Sequence, residues 1–220
     1  MIVTIDGPAG AGKSTAAREL ARRLGFDHLD TGAMYRCVAL AAMRNGVSSD
    51  DSAGLEKLLS EVQIRFQGER VFLNGEDVST AIRAPEVTTL SRAVADHPKV
   101  RQHLSRLQRQ IAQGRNIVTE GRDQGTIVFP EAECKFFLTA DPAERARRRW
   151  LDLQAQGRTV DFNQVLKEQE ERDTRDAARS IAPLRPAADA IVLDSTHLSL
   201  DEVVTRMEQL VRRRLAESRT

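Results

Sequence analysis

The chain has 220 residues, enough for one well-buried α/β domain with an insertion and too few for two independent enzymes. Its 33 basic and 32 acidic residues nearly cancel, which argues against a general nucleic-acid or membrane-surface binder and for small, concentrated anions as partners. Arginine outnumbers lysine 28 to 5, a bias that suits planar two-point binding of phosphate.

The apolar run Ile2-Val3-Thr4-Ile5 reads as a strand. No charged leader precedes it and no apolar stretch is long enough to cross a bilayer, so a soluble cytoplasmic protein is expected. Gly7-Pro8-Ala9-Gly10-Ala11-Gly12-Lys13-Ser14 follows at once. Strand, glycine loop and Lys-Ser in this order form a phosphate-binding loop: glycines let backbone N–H groups aim at phosphate oxygens, Lys13 reaches the outer phosphates, and the Ser14 hydroxyl can ligand magnesium. Thr15 to Leu24 then reads as a helix whose positive end faces the same anion.

A helix is expected from about Ala33 to Asn45, stopped by Gly46, with Asp30-Thr31-Gly32-Ala33-Met34-Tyr35-Arg36 at its entry. Period-two alternation over Val62–Phe66 and Arg70–Leu73, with turns at Gln67-Gly68-Glu69 and Asn74-Gly75, predicts a small antiparallel piece. Residues from about 46 to 95 therefore look like a subdomain inserted into a parallel core. Short apolar strands are expected at Asn116–Thr119, Lys135–Thr139 and Ala190–Leu193, which suits a sheet covered on both faces by helices. Eight arginines fall between Arg145 and Arg179, within and before a polar helix from about Asp161 to Arg179. The last helix opens on the capping box Ser199-Leu200-Asp201-Glu202 and presents Val203, Val204, Met207, Leu210 and Val211 at helical spacing. Cys37 and Cys134 lack metal-ligand or disulfide spacing and read as buried apolar residues.

A phosphate loop alone does not say what is done with the triphosphate. The Asn-Lys-x-Asp motif of GTPases is absent, and a nucleic-acid motor needs a longer chain. A small-molecule kinase needs a second anion site facing the γ-phosphate, and three constellations can supply it: the Asp30–Arg36 segment, Glu120-Gly121-Arg122-Asp123 at the carboxyl end of the Asn116 strand, and Arg172, Asp176 and Arg179 spaced four and three apart on one helix face. Glu120 can hold a magnesium-bound water. No Ser/His/Asp or paired-carboxylate arrangement is present, and a monophosphate acceptor, already anionic near neutral pH, needs no general base.

With these residues in view the chain resembles the bacterial cytidylate kinases, within the nucleoside monophosphate kinases. The likeness runs from Ile-Asp-Gly-Pro-Ala-Gly-Ala-Gly-Lys-Ser through Asp-Thr-Gly-Ala-Met-Tyr-Arg, Glu-Gly-Arg-Asp-Gln-Gly-Thr, Val128-Phe129-Pro130, Glu-Arg-Asp-x-Arg-Asp and Ala182-Pro183-Leu184 to Leu193-Asp194-Ser195-Thr196. It implies a three-layer α/β P-loop kinase fold with a parallel central sheet, a monophosphate-binding insertion at 36–100 and a lid at 146–160. It also implies ATP-dependent, magnesium-assisted phosphorylation of CMP and dCMP by a monomer that uses neither nucleic acid nor membrane. Carried over by position, Gly7, Pro8, Ala9, Gly10, Ala11, Gly12, Lys13, Ser14 and Thr15 would hold ATP. Thr31, Tyr35, Arg36, Ser91, Arg101, Arg122, Asp123, Arg172, Asp176 and Arg179 would hold the monophosphate. Within that set Arg36, Arg122 and Arg179 fall on the acceptor phosphate, Arg172 and Asp176 on the ribose, and Ser91, Arg101 and Asp123 around cytosine. Lys13, Arg122 and Arg179 would stabilise the transferring group, and Ser14 and Glu120, the latter through water, would serve the metal. Which of Arg145, Arg147, Arg148 and Arg149 reaches ATP stays open.

Overall fold

The computed structural model describes residues 1–155, 157–178 and 182–217, which form two compact units, residues 1–29 with 114–220 and residues 30–113. In the first unit β1 (Ile2–Asp6) leads through the glycine loop into α1 (Lys13–Leu24), and β2 (Asp27–Asp30) closes one side of the sheet. After the second unit the chain continues as β6 (Ile117–Gly121), a π-helical turn (Gln124–Val128), β7 (Cys134–Thr139), α6 (Pro142–Ala155), α7 (Phe162–Ala177), β8 (Ile191–Asp194) and α8 (Leu200–Glu217). The five strands lie in the order β2-β6-β1-β7-β8, with β1 parallel to β6 and β7, and β7 parallel to β8. The strand carrying the phosphate loop is thus central, and its last residue, Asp6, lies beside Gly121.

The apolar faces of α1 and α8 meet the sheet in one core, in which Ile5, Leu20, Phe136 and Met207 are fully buried. Truncating one of these to alanine should cost about 2–5 kcal/mol. The capping box expected at the start of α8 is present: Glu202 Oε2 accepts from the Ser199 N–H at 2.8 Å and Ser199 Oγ accepts from the Glu202 N–H at 3.3 Å. A smaller cluster joins α6 to α7, where Trp150 meets Phe162 edge-on at 6.4 Å and donates its indole N–H to the Val160 carbonyl at 3.0 Å.

The second unit comprises α2 (Thr31–Arg44), α3 (Ser52–Glu61), β3 (Ile64–Gln67), β4 (Arg70–Leu73), β5 (Glu76–Asp77), α4 (Pro85–Asp96) and α5 (Pro98–Ala112). β3, β4 and β5 form the antiparallel sheet that the period-two pattern implied, and Asn74 and Gly75 both take positive φ at its second turn. The unit spans 30–113, wider than the segment that looked inserted, because α2 and the α4–α5 pair share its core through residues such as Val38, Val94 and Leu104. Strand β2 and helices α3, α4, α5 and α6 were not among the expected elements, and the expected ones differ at their ends. α1 starts two residues earlier than expected because Gly12, in the left-handed region, caps it, and β6 runs on to Gly121.

Candidate active site

The phosphate loop is shaped by its glycines. Gly7 has a φ of +146°, and a Cβ there would run into the Leu138 carbonyl oxygen of β7. Gly10 and Gly12 take φ of +75° and +87°. Lys13 folds back across the loop and donates Nζ–H to the Pro8 carbonyl at 2.7 Å. Burial, and then the Arg122 guanidinium, hold its ammonium group well below the usual lysine range; Glu120 opposes them, and Arg172 adds to the depression. Ser14 donates to Glu120 Oε1 at 2.9 Å, while Ser14 and Thr15 stay exposed at the start of α1.

At the end of β6, Arg122 is aimed by two contacts: its Nε–H donates to Asp176 at 3.1 Å and its NH1 to the Gly121 carbonyl at 3.2 Å. Arg172 lies 3.9 Å from the same Asp176 carboxylate, as the one-turn spacing on α7 requires. Asp176 and Asp123 are both buried. The turn after Asp123 is pinned by Asp6, whose two oxygens accept from the N–H groups of Gln124 at 2.9 Å and Gly125 at 2.7 Å. The first unit therefore gathers Lys13, Ser14, Glu120, Arg122, Asp123, Arg172 and Asp176 around the carboxyl edge of β1 and β6.

The second unit holds the other expected residues. Asp30 caps α2 by accepting from the Ala33 N–H at 2.8 Å and takes the Arg36 guanidinium at 3.2 Å. Arg36 Nε is buried with no hydrogen-bond partner, and Thr31 is buried in the first turn. Tyr35 lies under Arg101, whose guanidinium carbon is 5.8 Å from the ring centroid and whose NH1 donates to the Ala95 carbonyl at 2.9 Å. Ser91 donates to the Thr88 carbonyl at 2.8 Å. Arg179 lies outside the described residues, and α7 ends at Ala177.

Three groups escaped the sequence reading. Asp6, between the first apolar run and the glycine loop, was given no role; Arg145 was indistinguishable from its neighbouring arginines; and Gln169 lay in a polar helix with no motif. In the structure all three are buried beside the phosphate loop or the turn after β6. Ser14 sets a hydroxyl beside the Glu120 carboxylate, and two oxygen donors of this kind suit a hard divalent cation.

A family model described as cytidylate kinase matches residues 3–213. The chain belongs to the cytidylate kinase family. It is 51% identical to the cytidylate kinase of Syntrophotalea carbinolica over 218 residues, covering 97% of this chain and 93% of that one. It is 50% identical to that of Rhodopirellula baltica over 212 residues, covering 96% and 93%. Shikimate kinase from Bacteroides thetaiotaomicron, at 13% identity and a TM-score of 0.50 over 96% of this chain and 98% of that one, shares the fold. As a cytidylate kinase family member the chain is a phosphotransferase, a nucleoside monophosphate kinase. No helix among the described residues is long and apolar enough to cross a membrane.

Proposed function

We propose that this chain transfers the γ-phosphoryl group of ATP to CMP and dCMP, giving CDP and dCDP, by direct in-line attack of the acceptor phosphate. The observation that carries the proposal is the gathering of Lys13, Arg122 and Arg172 beside the phosphate loop. An acceptor that is already anionic needs no general base. Its difficulty is repulsion between two polyanions and the entropy of lining them up, and cations fixed in place answer both. Burial first, and then the Arg122 guanidinium, disfavour the Lys13 ammonium, and nucleotide phosphates beside it would favour its charged form.

Magnesium would be held at Ser14, with Glu120 receiving a metal-bound water; the Ser14 hydroxyl can keep donating to Glu120 while its lone pairs face the ion. The ion would neutralise charge on the donor phosphates. Arg36, Arg122 and Arg179 take the acceptor phosphate, and Arg172 and Asp176 the ribose. Residues 146–160, on α6 and the turn after it, close as a lid so that water does not compete. The enzyme works as a cytoplasmic monomer without nucleic acid.

Cytosine offers an amino group that the buried Asp123 carboxylate can accept from, and its ring nitrogen and carbonyl suit Ser91 and Arg101. Uracil would set a carbonyl against the carboxylate, a mismatch that discriminates by roughly tenfold or more. Product identification from ATP with CMP, dCMP, UMP and AMP in parallel tests the assignment. CDP and dCDP should dominate, and equal or faster turnover of UMP or AMP would reject it. Asp123→Asn should narrow the CMP-to-UMP ratio of kcat/KM by about tenfold; an unchanged ratio would remove Asp123 from the base.

A further inference from the structure

Arg145 opens the arginine block, yet it does not face solvent. Its side chain is 6% exposed and three acceptors hold it: Nε donates to the Ala140 carbonyl at 3.0 Å, NH1 donates to the Ala9 carbonyl at 3.0 Å, and the same nitrogen pairs with Asp173 at 2.6 Å. Gln169, one turn before Asp173 on α7, donates its Nε2–H to that same Ala9 carbonyl at 3.2 Å. Two side chains from two helices thus converge on a single backbone oxygen in the middle of the phosphate loop. They also close over the next residue: a Cβ at Gly10 would lie 2.5 Å from Gln169 Nε2 and 3.1 Å from Arg145 Cβ.

The chemistry of the peptide unit gives this convergence a purpose. The Ala9 carbonyl and the Gly10 N–H belong to one planar trans amide and point in opposite directions, so holding the oxygen from behind fixes where the hydrogen points. In a phosphate loop that hydrogen is one of the donors of the anion cradle. The Gly10 N–H has no hydrogen-bond partner among the described residues, as a donor kept for an outside anion should not. A loop whose peptide planes could flip would lose this donor whenever the site emptied and would have to re-form it for each substrate.

We propose that Arg145 and Gln169 are positioning residues for the donor triphosphate, clamping the Ala9 carbonyl from the protein side so that the Gly10 N–H stays turned into the phosphate cradle. Arg145 acts from behind the loop and does not reach ATP. The inference rests on ATP being the donor, and it adds that two residues outside the loop set the loop's affinity.

Gln169→Leu gives the cleanest test, because the change keeps the shape, removes the donor, and discards only an Oε1 that already lacks a partner. Binding of a non-hydrolysable ATP analogue, measured calorimetrically without CMP, should weaken by about tenfold, the scale of one hydrogen bond in a buried site. Thermal stability should hold, and CMP affinity measured alone should stay within about twofold. Arg145→Lys should have the larger effect, since lysine has no second nitrogen to hold the Ala140 carbonyl while the other holds Ala9 and Asp173, and the double variant should lose less than the product of the two because both act on one oxygen. ATP-analogue affinity within twofold of wild type in Gln169→Leu would overturn the inference, and so would equal losses for CMP and the analogue. If the donor assignment itself were wrong, wild-type enzyme would form no CDP from ATP and CMP, a failure visible before any variant is made.

Discussion

The phosphate loop and the α6–α7 pair are both read as anion sites in the proposed function, but they are built from different material. The loop works through backbone N–H groups, so its design is written in glycines at fixed spacing, and each glycine has a visible reason: Gly7 because β7 leaves no room for a Cβ, Gly10 and Gly12 because φ is positive. The helical pair works through guanidinium groups, and an arginine that binds a ligand is spelled the same as one that holds a wall. Arg145 is buried among three acceptors, Arg148 ties α6 to Ser195 at 2.6 Å, and Arg147 only pairs with Glu144 on the surface. A backbone site is therefore legible one residue at a time, whereas a side-chain site becomes legible only once partners are known.

The comparison breaks most visibly at Lys13, the charged side chain of the loop itself. Lys13→Met should lower kcat by two to three orders of magnitude, about 3–4 kcal/mol of transition-state stabilisation, by analogy with removing one fixed donor from an oxyanion site. The same change should leave the melting temperature at or above that of wild type. In the folded chain the ammonium is disfavoured by burial and by Arg122, and methionine carries no charge to bury. A fall in both activity and stability would mean that Lys13 braces the loop through Pro8 more than it serves the phosphates.

Asp6 sharpens the comparison from the other side, as a side chain that serves backbone. Burial, opposed by the N–H groups of Gly125 and Gln124, pushes its carboxyl from the usual 3.8 up to about 6. The folded protein then keeps a proton that the unfolded chain has already lost. This group's contribution to stability is accordingly full below about pH 4 and is lost as pH rises through about 6. Asp6→Asn cannot ionise, so the stability of wild type relative to the variant should decline between pH 4 and 6.5 by on the order of 2–3 kcal/mol in urea unfolding. A difference that does not vary with pH would show that Asp6 binds its proton alike in the folded and unfolded chain.

The sequence carried the central strand, the loop, the antiparallel piece and the capping box because each rests on local rules: periodicity, turn residues, and a hydroxyl three residues before a carboxylate. Glu120, Arg122 and Asp123 were legible because they end a strand beside β1, where this class of sheet puts its ligands. The role of Asp6 was not, since its partners at Gln124 and Gly125 are 118 and 119 residues away. Gln169 was hidden for the same reason, being 160 residues from Ala9. Helices α3, α4 and α5 were passed over because charged residues crowd their exposed faces and the apolar stripes are narrow.

The smallest predicted effect separates the arginines that the sequence could not. Arg147 spends its guanidinium on Glu144 at 2.7 Å in an exposed pair three residues apart, an arrangement worth a few tenths of a kcal/mol. Arg149, half-buried two residues on, has no hydrogen-bond or ion-pair partner among the described residues. It is the member of the group with its charge still to give. If the lid closes over the donor phosphates, Arg149→Ala should reduce kcat by about tenfold, the scale of one charge-assisted hydrogen bond formed on closure. Arg147→Ala should stay within about twofold in both kcat and KM. Equal kcat for the two variants would mean that neither charge is recruited and that the lid acts by excluding water alone.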